Sequence, residues 1–162
     1  MCVKPHEVID MKKIALVSAV IIVLLCLVSC DNNENLQESN KLNYGSFLRL
    51  LDENGFSYEE MSEETVDNSF LSVSRKPISI GDELISIYEY NSNEAMEEDS
   101  QYIDKGGFSI NCPGKSVQIS WASLPHFFKK DLIIVNYVGE DKQILAFLKE
   151  NLGDRFAGYG EY

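Results

Sequence analysis

Two tight turns, each lying between runs of alternating apolar residues, constrain the fold more than any other feature of the sequence. The first turn is Gly81-Asp82, and glycine at the first central position is what a two-residue type II′ hairpin turn requires. The turn predicts that Ile78 pairs with Ile85. Four isoleucines then share one face: Ile78, Ile80, Ile85 and Ile87. The register and the hydrophobic pattern therefore agree, as they must when one face is buried.

The second turn is Pro113-Gly114, which carries the residues that a type II turn favours at its two central positions. It predicts a hairpin in which Ile110 lies opposite Val117, with apolar residues again on one side. Two hairpins therefore have registers that agree with their own hydrophobic patterns.

Three segments have the spacing of apolar residues that predicts amphipathic helices. The first covers residues 44–54, the second lies between a capping segment at 91–94 and Gly106-Gly107, and the third covers residues 141–152. Residues 56–61 predict a short strand, and the apolar run 132–138 suits a central strand. This order of elements predicts an α+β domain, with a mainly antiparallel sheet and the helices packed on one face.

An apolar leader precedes this domain. Lys12 and Lys13 are followed by an apolar run that ends in Leu27-Val28-Ser29-Cys30, an order typical of an export signal. The last four residues resemble the lipobox of bacterial lipoproteins. The resemblance implies that diacylglycerol is joined to Cys30, that the signal peptide 11–29 is removed, and that the new N-terminus is acylated, for example with palmitate.

The leader has two alternative interpretations, an uncleaved transmembrane helix and a cleaved product without lipid. Residues 14–29 number 16, fewer than the roughly 20 that span a bilayer, and this favours the lipidated form. Residues 1–10 include Glu7 and Asp10, which are untypical of a signal peptide, so we interpret Met11 as the true start. Residues 30–43 predict the lipidated cysteine and a flexible tether, and residues 44–162 a single domain. The predicted location is the outer face of the cell membrane.

The net charge excludes some partners. The chain carries a net charge of −12, and loss of residues 1–30 removes three lysines and two acids, which leaves −13. Binding to nucleic acid needs clustered lysine and arginine, so nucleic acid is excluded as a partner. An anionic membrane surface would repel the domain. Contact with membrane lipid is therefore assigned to the acylated Cys30 alone.

Cys112 is the single cysteine in the predicted domain, because Cys2 and Cys26 lie in the leader and Cys30 is the lipidation site. An intramolecular disulfide and a cysteine-based zinc site are therefore excluded. We interpret Cys112 as a small buried hydrophobic residue. The domain is predicted to be a monomer that folds without a metal or another cofactor.

One histidine, His126, lies in the predicted domain. Neither G-x-S-x-G nor S-x-x-K occurs in the sequence, so no motif indicates an enzyme and no catalytic residue is assigned. The alternative is an envelope hydrolase that uses His126 with a nearby carboxylate. Such an enzyme would place that pair in a concave pocket, whereas a binding module would show an exposed aromatic patch without it.

The segment 124–130 is predicted to be a loop that recognises a protein or cell-wall partner. Its aromatic and cationic residues stand out in an acidic domain, and such residue types are enriched in binding hot spots. The alternative is that the two phenylalanines cap the core and that the polar residues are ordinary surface. The candidate binding residues are Pro125, His126, Phe127, Phe128, Lys129 and Lys130.

Two acidic segments, residues 59–67 and 94–99, are interpreted as solvated faces. Weak binding of a cation by their carboxylates is the alternative. The spacing of an EF-hand loop is absent from the sequence, so no residue is assigned as a metal ligand.

Three short motifs resemble a group of small bacterial lipoproteins of Gram-positive type. They are Pro125-His126-Phe127-Phe128-Lys129-Lys130, Tyr137-Val138-Gly139-x-Asp141 and Leu152-Gly153-x-x-Phe156-Ala157-Gly158. The likeness extends over most of residues 70–158, although Leu124 stands where a second proline often occurs in that group. The group has no assigned activity, so the resemblance implies an envelope location and no catalytic residue. Taken together, the sequence predicts a membrane-anchored, extracytoplasmic lipoprotein that acts as a binding or interaction module.

Overall fold

The structure, a computed structural model, describes residues 41–62 and 70–160. The predicted signal peptide and Cys30 lie outside the described residues. The tether predicted over residues 30–43 is too long at its C-terminal end, because Leu42 belongs to the hydrophobic core. The backbone N–H of Leu42 also donates to the carboxylate of Asp131 at 2.8 Å. The folded part therefore begins before Tyr44.

The described residues form three helices and eight strands. The helices are α1 (Tyr44–Glu53), α2 (Asn93–Ser100) and α3 (Lys142–Leu152). The strands are β1 (Glu59–Glu60), β2 (Arg75–Ile80), β3 (Glu83–Glu89), β4 (Ser109–Cys112), β5 (Lys115–Gln118), β6 (Pro125–Lys130), β7 (Ile133–Val138) and β8 (Ala157–Gly158).

The main sheet has six strands in the order β1-β2-β3-β7-β6-β8, and β4 and β5 form a separate two-stranded sheet. Every pair of neighbouring strands is antiparallel. These features confirm the α+β class and the mainly antiparallel sheet. They also confirm the central position of the apolar strand predicted at 132–138, because β7 lies between β3 and β6.

Both predicted hairpin registers are confirmed. Across the first turn Ile78 pairs with Ile85, and Gly81 has φ +58°, as the first central residue of a type II′ turn requires. Across the second turn Ile110 pairs with Val117. Gly114 has φ +77° there, which is the conformation of the second central residue in a type II turn.

The main sheet is covered on both faces. On the first face, α1 and α3 pack on the sheet through residues such as Phe47 and Leu148. On the second face, Met96 of α2 and Ile110 of the small sheet pack around Tyr88. The prediction that the helices lie on one face is therefore wrong for α2. Successive side chains of a strand point to opposite faces of the sheet. In the central strands the side chains on both faces are buried.

Helix α2 differs from its predicted form at two points. It ends at Ser100 with Gln101 as its C-cap, well before Gly106-Gly107. Asp99 is 5% exposed and does not belong to a solvated acidic face. Its carboxylate accepts hydrogen bonds from Ser72 N at 2.8 Å, Ser72 Oγ at 2.7 Å and the hydroxyl of Tyr90 at 3.0 Å. Asp99 thus joins the helix to the segment that precedes β2.

The segment predicted as a loop at 124–130 is mainly a strand, β6. It pairs with β7 from Pro125 to Lys130, and with β8 at His126 and Phe127. Gly158 of β8 has φ +132°, and a Cβ atom there would lie 2.4 Å from the carbonyl oxygen of Pro125. Only glycine allows β8 to approach β6 this closely.

Candidate functional site

A concave cavity of about 500 Å³ lies beside α3 and the start of β6. Its volume falls in the range of about 300–1,000 Å³ that is usual for small-molecule sites. The lining combines apolar side chains, one histidine and three charged side chains. The lining residues are Leu124, His126, Glu140, Lys142, Leu145, Ala146, Lys149 and Gly160.

His126 forms part of the cavity wall, although its side chain is only 2% exposed. Its Nε2 lies 3.0 Å from the carbonyl oxygen of Gly139, and its Nδ1 lies 3.0 Å from Nη1 of Arg155. The ring is stacked near Tyr137, with 6.0 Å between the ring centroids. The imidazole is therefore held from three sides.

The partners of His126 determine its protonation. A guanidinium N–H can only donate, so Nδ1 must accept, and the ring proton must lie on Nε2, where it donates to the carbonyl of Gly139. Burial, and to a smaller extent the positive charge of Arg155, lower the pKa of His126 from its ordinary value of 6.5. The imidazole is therefore neutral at pH 7, and the lone pair and the proton are both used in hydrogen bonds.

This arrangement does not favour the hydrolase alternative. A general base needs a nitrogen within reach of the substrate proton, and His126 would have to release Arg155 or Gly139 to offer one. Neither of these partners is a carboxylate, although Glu140 lines the same cavity. The hydrolase stays an untested alternative.

Four of the six candidate binding residues are buried. The prediction that this segment is an exposed recognition loop is therefore wrong. Phe127 is 1% exposed and Phe128 is 0% exposed. Phe127 contacts Trp121 on the second face of the sheet, whereas Phe128 belongs to the core of the first face. Pro125 and His126 are buried as well. The interpretation of the phenylalanines as core residues is confirmed.

The two lysines of β6 lie closer to the surface, and each has a partner within the domain. Lys129 forms a salt bridge with Glu97 and donates to Ser100 Oγ at 2.9 Å. Lys130 donates to the carbonyl oxygen of Asn151 at 2.6 Å. Lys129 therefore ties β6 to α2, and Lys130 ties β6 to α3. Direct binding of a partner by these lysines stays a prediction.

Two aromatic residues that were not predicted as a site from the sequence form a pair at the surface. Phe108 is 40% exposed and Tyr159 is 60% exposed. Their ring centroids are 6.1 Å apart with the planes at 68°, an edge-to-face arrangement that aromatic pairs prefer. We call Phe108 and Tyr159 the aromatic pair. The feature of the sequence that could have indicated this pair is Tyr159 between two glycines. Glycine has no side chain, so the tyrosine ring has no neighbouring side chain on either side along the chain.

The backbone around the aromatic pair is well held. Tyr159 N donates to the carbonyl of Pro125 at 3.0 Å, and Arg155 Nη1 donates to the carbonyl of Tyr159 at 3.1 Å. On the other side, the carboxylate of Asp104 accepts from Gly106 N at 3.0 Å and from Ser109 N. These contacts hold the backbone from which the two rings project.

The acidic segments do not form a metal centre in the part of the chain that the structure describes. There, no group of three or more histidine, cysteine, aspartate or glutamate residues is placed to hold a metal ion. Residues 63–67 of the first acidic segment lie outside the described residues, and cation binding by them stays an untested alternative. Cys112 is half-buried, and burial together with the charge of Asp99 raises the pKa of its thiol. Cys112 is therefore less buried than predicted, although it packs against the core of the second face.

Comparisons with known proteins leave the family open. Protein-family models, curated proteins and solved structures gave no match to this chain. Over residues 41–62 and 70–160, no helix is both long enough and apolar enough to cross a membrane. The lipoprotein resemblance and the lipidation of Cys30 accordingly stay predictions.

Proposed function

We propose that the protein is a lipid-anchored module on the outer face of the cell membrane, and that it binds another envelope protein through the aromatic pair, Phe108 and Tyr159. The leader supports the location, because its basic start, apolar run and final Cys30 have the order of a lipoprotein signal. Two acyl chains or more give stable anchoring. The tether then keeps the acidic domain close to the membrane without requiring the domain itself to touch lipid.

The observation that carries the binding role is the exposure of two contacting aromatic rings on a fixed backbone. Among the described residues three large apolar side chains are exposed, and two of them form this pair. Tyrosine and arginine are enriched in binding hot spots, and Arg155 holds the carbonyl of Tyr159. Because the backbone beneath the pair is held and the two rings contact each other, a partner would order little of the chain on binding.

The acidic charge indicates the kind of protein that binds. The chain has a net charge of −12, and complementary charge accelerates association and disfavours wrong partners. A partner with a basic surface next to an apolar recess fits both features. The acidic body of the module would steer the encounter, and the aromatic pair would provide the apolar contact.

Cross-linking in intact cells tests this proposal. The full-length chain is compared with a double variant, Phe108→Ser with Tyr159→Ser, and with a matched control, Met61→Ser. Met61 is 37% exposed and does not belong to the pair. The double variant should lose about tenfold or more of its cross-linked partner, while the control and the wild-type chain retain it.

Two outcomes would contradict the proposal. One is that the double variant captures the same protein to the same extent as the wild-type chain. The other is that only co-sedimentation with purified cell wall is lost, which would assign the pair to a wall polymer. Thermal unfolding of each variant shows whether the fold is kept, and exposed positions should change stability by only about 0.5 kcal/mol.

A further inference from the structure

A second surface, the cavity beside α3, has features that the aromatic pair does not use. Gly160 lines the cavity, whereas its neighbour Tyr159 belongs to the aromatic pair. The lining of the cavity and the aromatic pair have no residue in common, so the two surfaces can be altered separately. We propose that this cavity binds a small monocarboxylate that carries an apolar chain.

The walls of the cavity are suited to an apolar group. Leu124, Leu145 and Ala146 contribute aliphatic side chains, and His126 contributes a neutral ring. Because both ring nitrogens of His126 are engaged by Gly139 and Arg155, the ring presents no vacant polar atom to a ligand. An apolar chain could enter the cavity without leaving a donor or an acceptor of this ring unsatisfied.

The charged residues of the cavity favour a single negative charge. The lining contains two lysines, Lys142 and Lys149, and one acid, Glu140. Its net charge is therefore +1, in a chain whose net charge is −12. Lys149 also pairs with Asp154 at 3.4 Å, with the two side chains 50% and 85% exposed. Exposed pairs of this kind contribute little stability, so a carboxylate can compete for Lys149 at a small cost.

The positions of the lysines match an amphipathic ligand. Lys142 and Lys149 both belong to α3, on either side of Leu145 and Ala146 along the helix. Residues at these spacings lie on one face of a helix. A carboxylate held at either lysine would direct the attached chain along Leu145 and Ala146, which lie between them on the helix.

Ligand-observed saturation-transfer NMR tests the proposal on the full-length chain in lipid nanodiscs, with empty nanodiscs as the blank. The probe is hexanoate, and hexanamide and hexylamine serve as neutral and cationic analogues of equal length. We expect hexanoate to bind, hexanamide to bind at least about fivefold more weakly, and hexylamine not to bind. Equal binding of hexanoate and hexanamide, or no binding of hexanoate, would overturn the proposal.

Variants separate the cavity from other surfaces. Lys142→Gln with Lys149→Gln should weaken hexanoate at least about fivefold, and Ala146→Trp should abolish binding by filling the cavity. The matched control is Gln143→Trp, an exposed position on the same helix that does not line the cavity. Loss of binding in the control as well would contradict the assignment. Binding that appears only after removal of Glu161 and Tyr162 would also contradict the assignment. It would mean that these two residues occupy the cavity in the intact chain.

This inference does not depend on the proposed protein partner. The double variant of the aromatic pair should still bind hexanoate, and Ala146→Trp should still cross-link its protein partner. Failure of one experiment therefore leaves the other proposal standing.

Discussion

The guanidinium Nη1 of Arg155 lies 3.0 Å from Nδ1 of His126, and this contact determines what the histidine can do. A donor at Nδ1 forces the proton onto Nε2, where the carbonyl of Gly139 accepts it. The same guanidinium bonds to the carbonyls of Tyr159 and Gly160. His126 is thus a structural link between β6 and the C-terminal segment that carries Tyr159.

The stability of the domain should fall when the pH drops below about 6.5. The pKa of His126 is lowered in the folded state, so the unfolded chain binds a proton at a higher pH than the folded chain does. The free energy of unfolding should then decrease with falling pH by at most about 1.4 kcal/mol per pH unit, until the folded pKa is reached. Urea unfolding between about pH 7.5 and pH 5.5 measures this. His126→Gln should show a shallower slope, and an unchanged slope would show that His126 does not cause the pH dependence.

Removing the guanidinium should raise the pKa of His126. Arg155→Met deletes the positive charge that helps to hold this pKa low, while the burial that contributes most remains. NMR titration of the imidazole ring protons measures the change, and the predicted domain contains only this histidine. Arg49→Met, an exposed position on α1, is the control and should leave the pKa unchanged. A pKa that does not move in Arg155→Met would mean that the guanidinium does not act on the ring.

Asp99 should contribute more to stability than the other acids of α2. Its carboxylate accepts two bonds from Ser72 and one from Tyr90, and hydrogen bonds to buried charged groups contribute about 1.5–3 kcal/mol. Asp99→Asn should lower the free energy of unfolding by about this amount in chemical denaturation. The neighbouring Glu98→Gln, on the exposed side of the helix, should change it by only about 0.5 kcal/mol. Equal effects at the two positions would show that the network is not stabilising.

The local elements could be predicted because their signals are local. Gly81 and Gly114 identify their turns directly, and the turn then sets the register of the strands that leave it. The caps of the third helix, Asp141 and Gly153, are likewise next to the residues that they cap. These features need no knowledge of the rest of the chain.

The candidate site could not be predicted because its contacts are distant in the sequence. His126 is hydrogen-bonded to Arg155, 29 residues away, and Lys129 pairs with Glu97, 32 residues away. The proline, histidine and lysines of this segment are typical of a loop. Its pairing with β7 and β8, which makes it a strand, depends on residues that come later in the chain. The burial of Asp99 could not be predicted for the same reason, since its partner Ser72 lies 27 residues earlier.

Residues 41–162 should fold alone as a monomer that needs neither a metal nor a disulfide. Cys112 is the single cysteine in this range, and packing on both faces of the sheet supplies the core. Far-UV circular dichroism should show the same folded spectrum with and without a chelator and a reductant. A chain that stays disordered until a metal ion is added would show that the acidic segments have a structural role.

We propose that the domain acts while it is anchored to the membrane through Cys30. Intact mass spectrometry of the protein extracted from membranes tests it most directly, with Cys30→Ser as the comparison. We expect a mature chain that begins at Cys30 and carries a diacylglyceryl group, and a serine variant that is unprocessed or released from the membrane. An unprocessed wild-type chain without lipid, or a serine variant of the same mature mass that stays on the membrane, would contradict it.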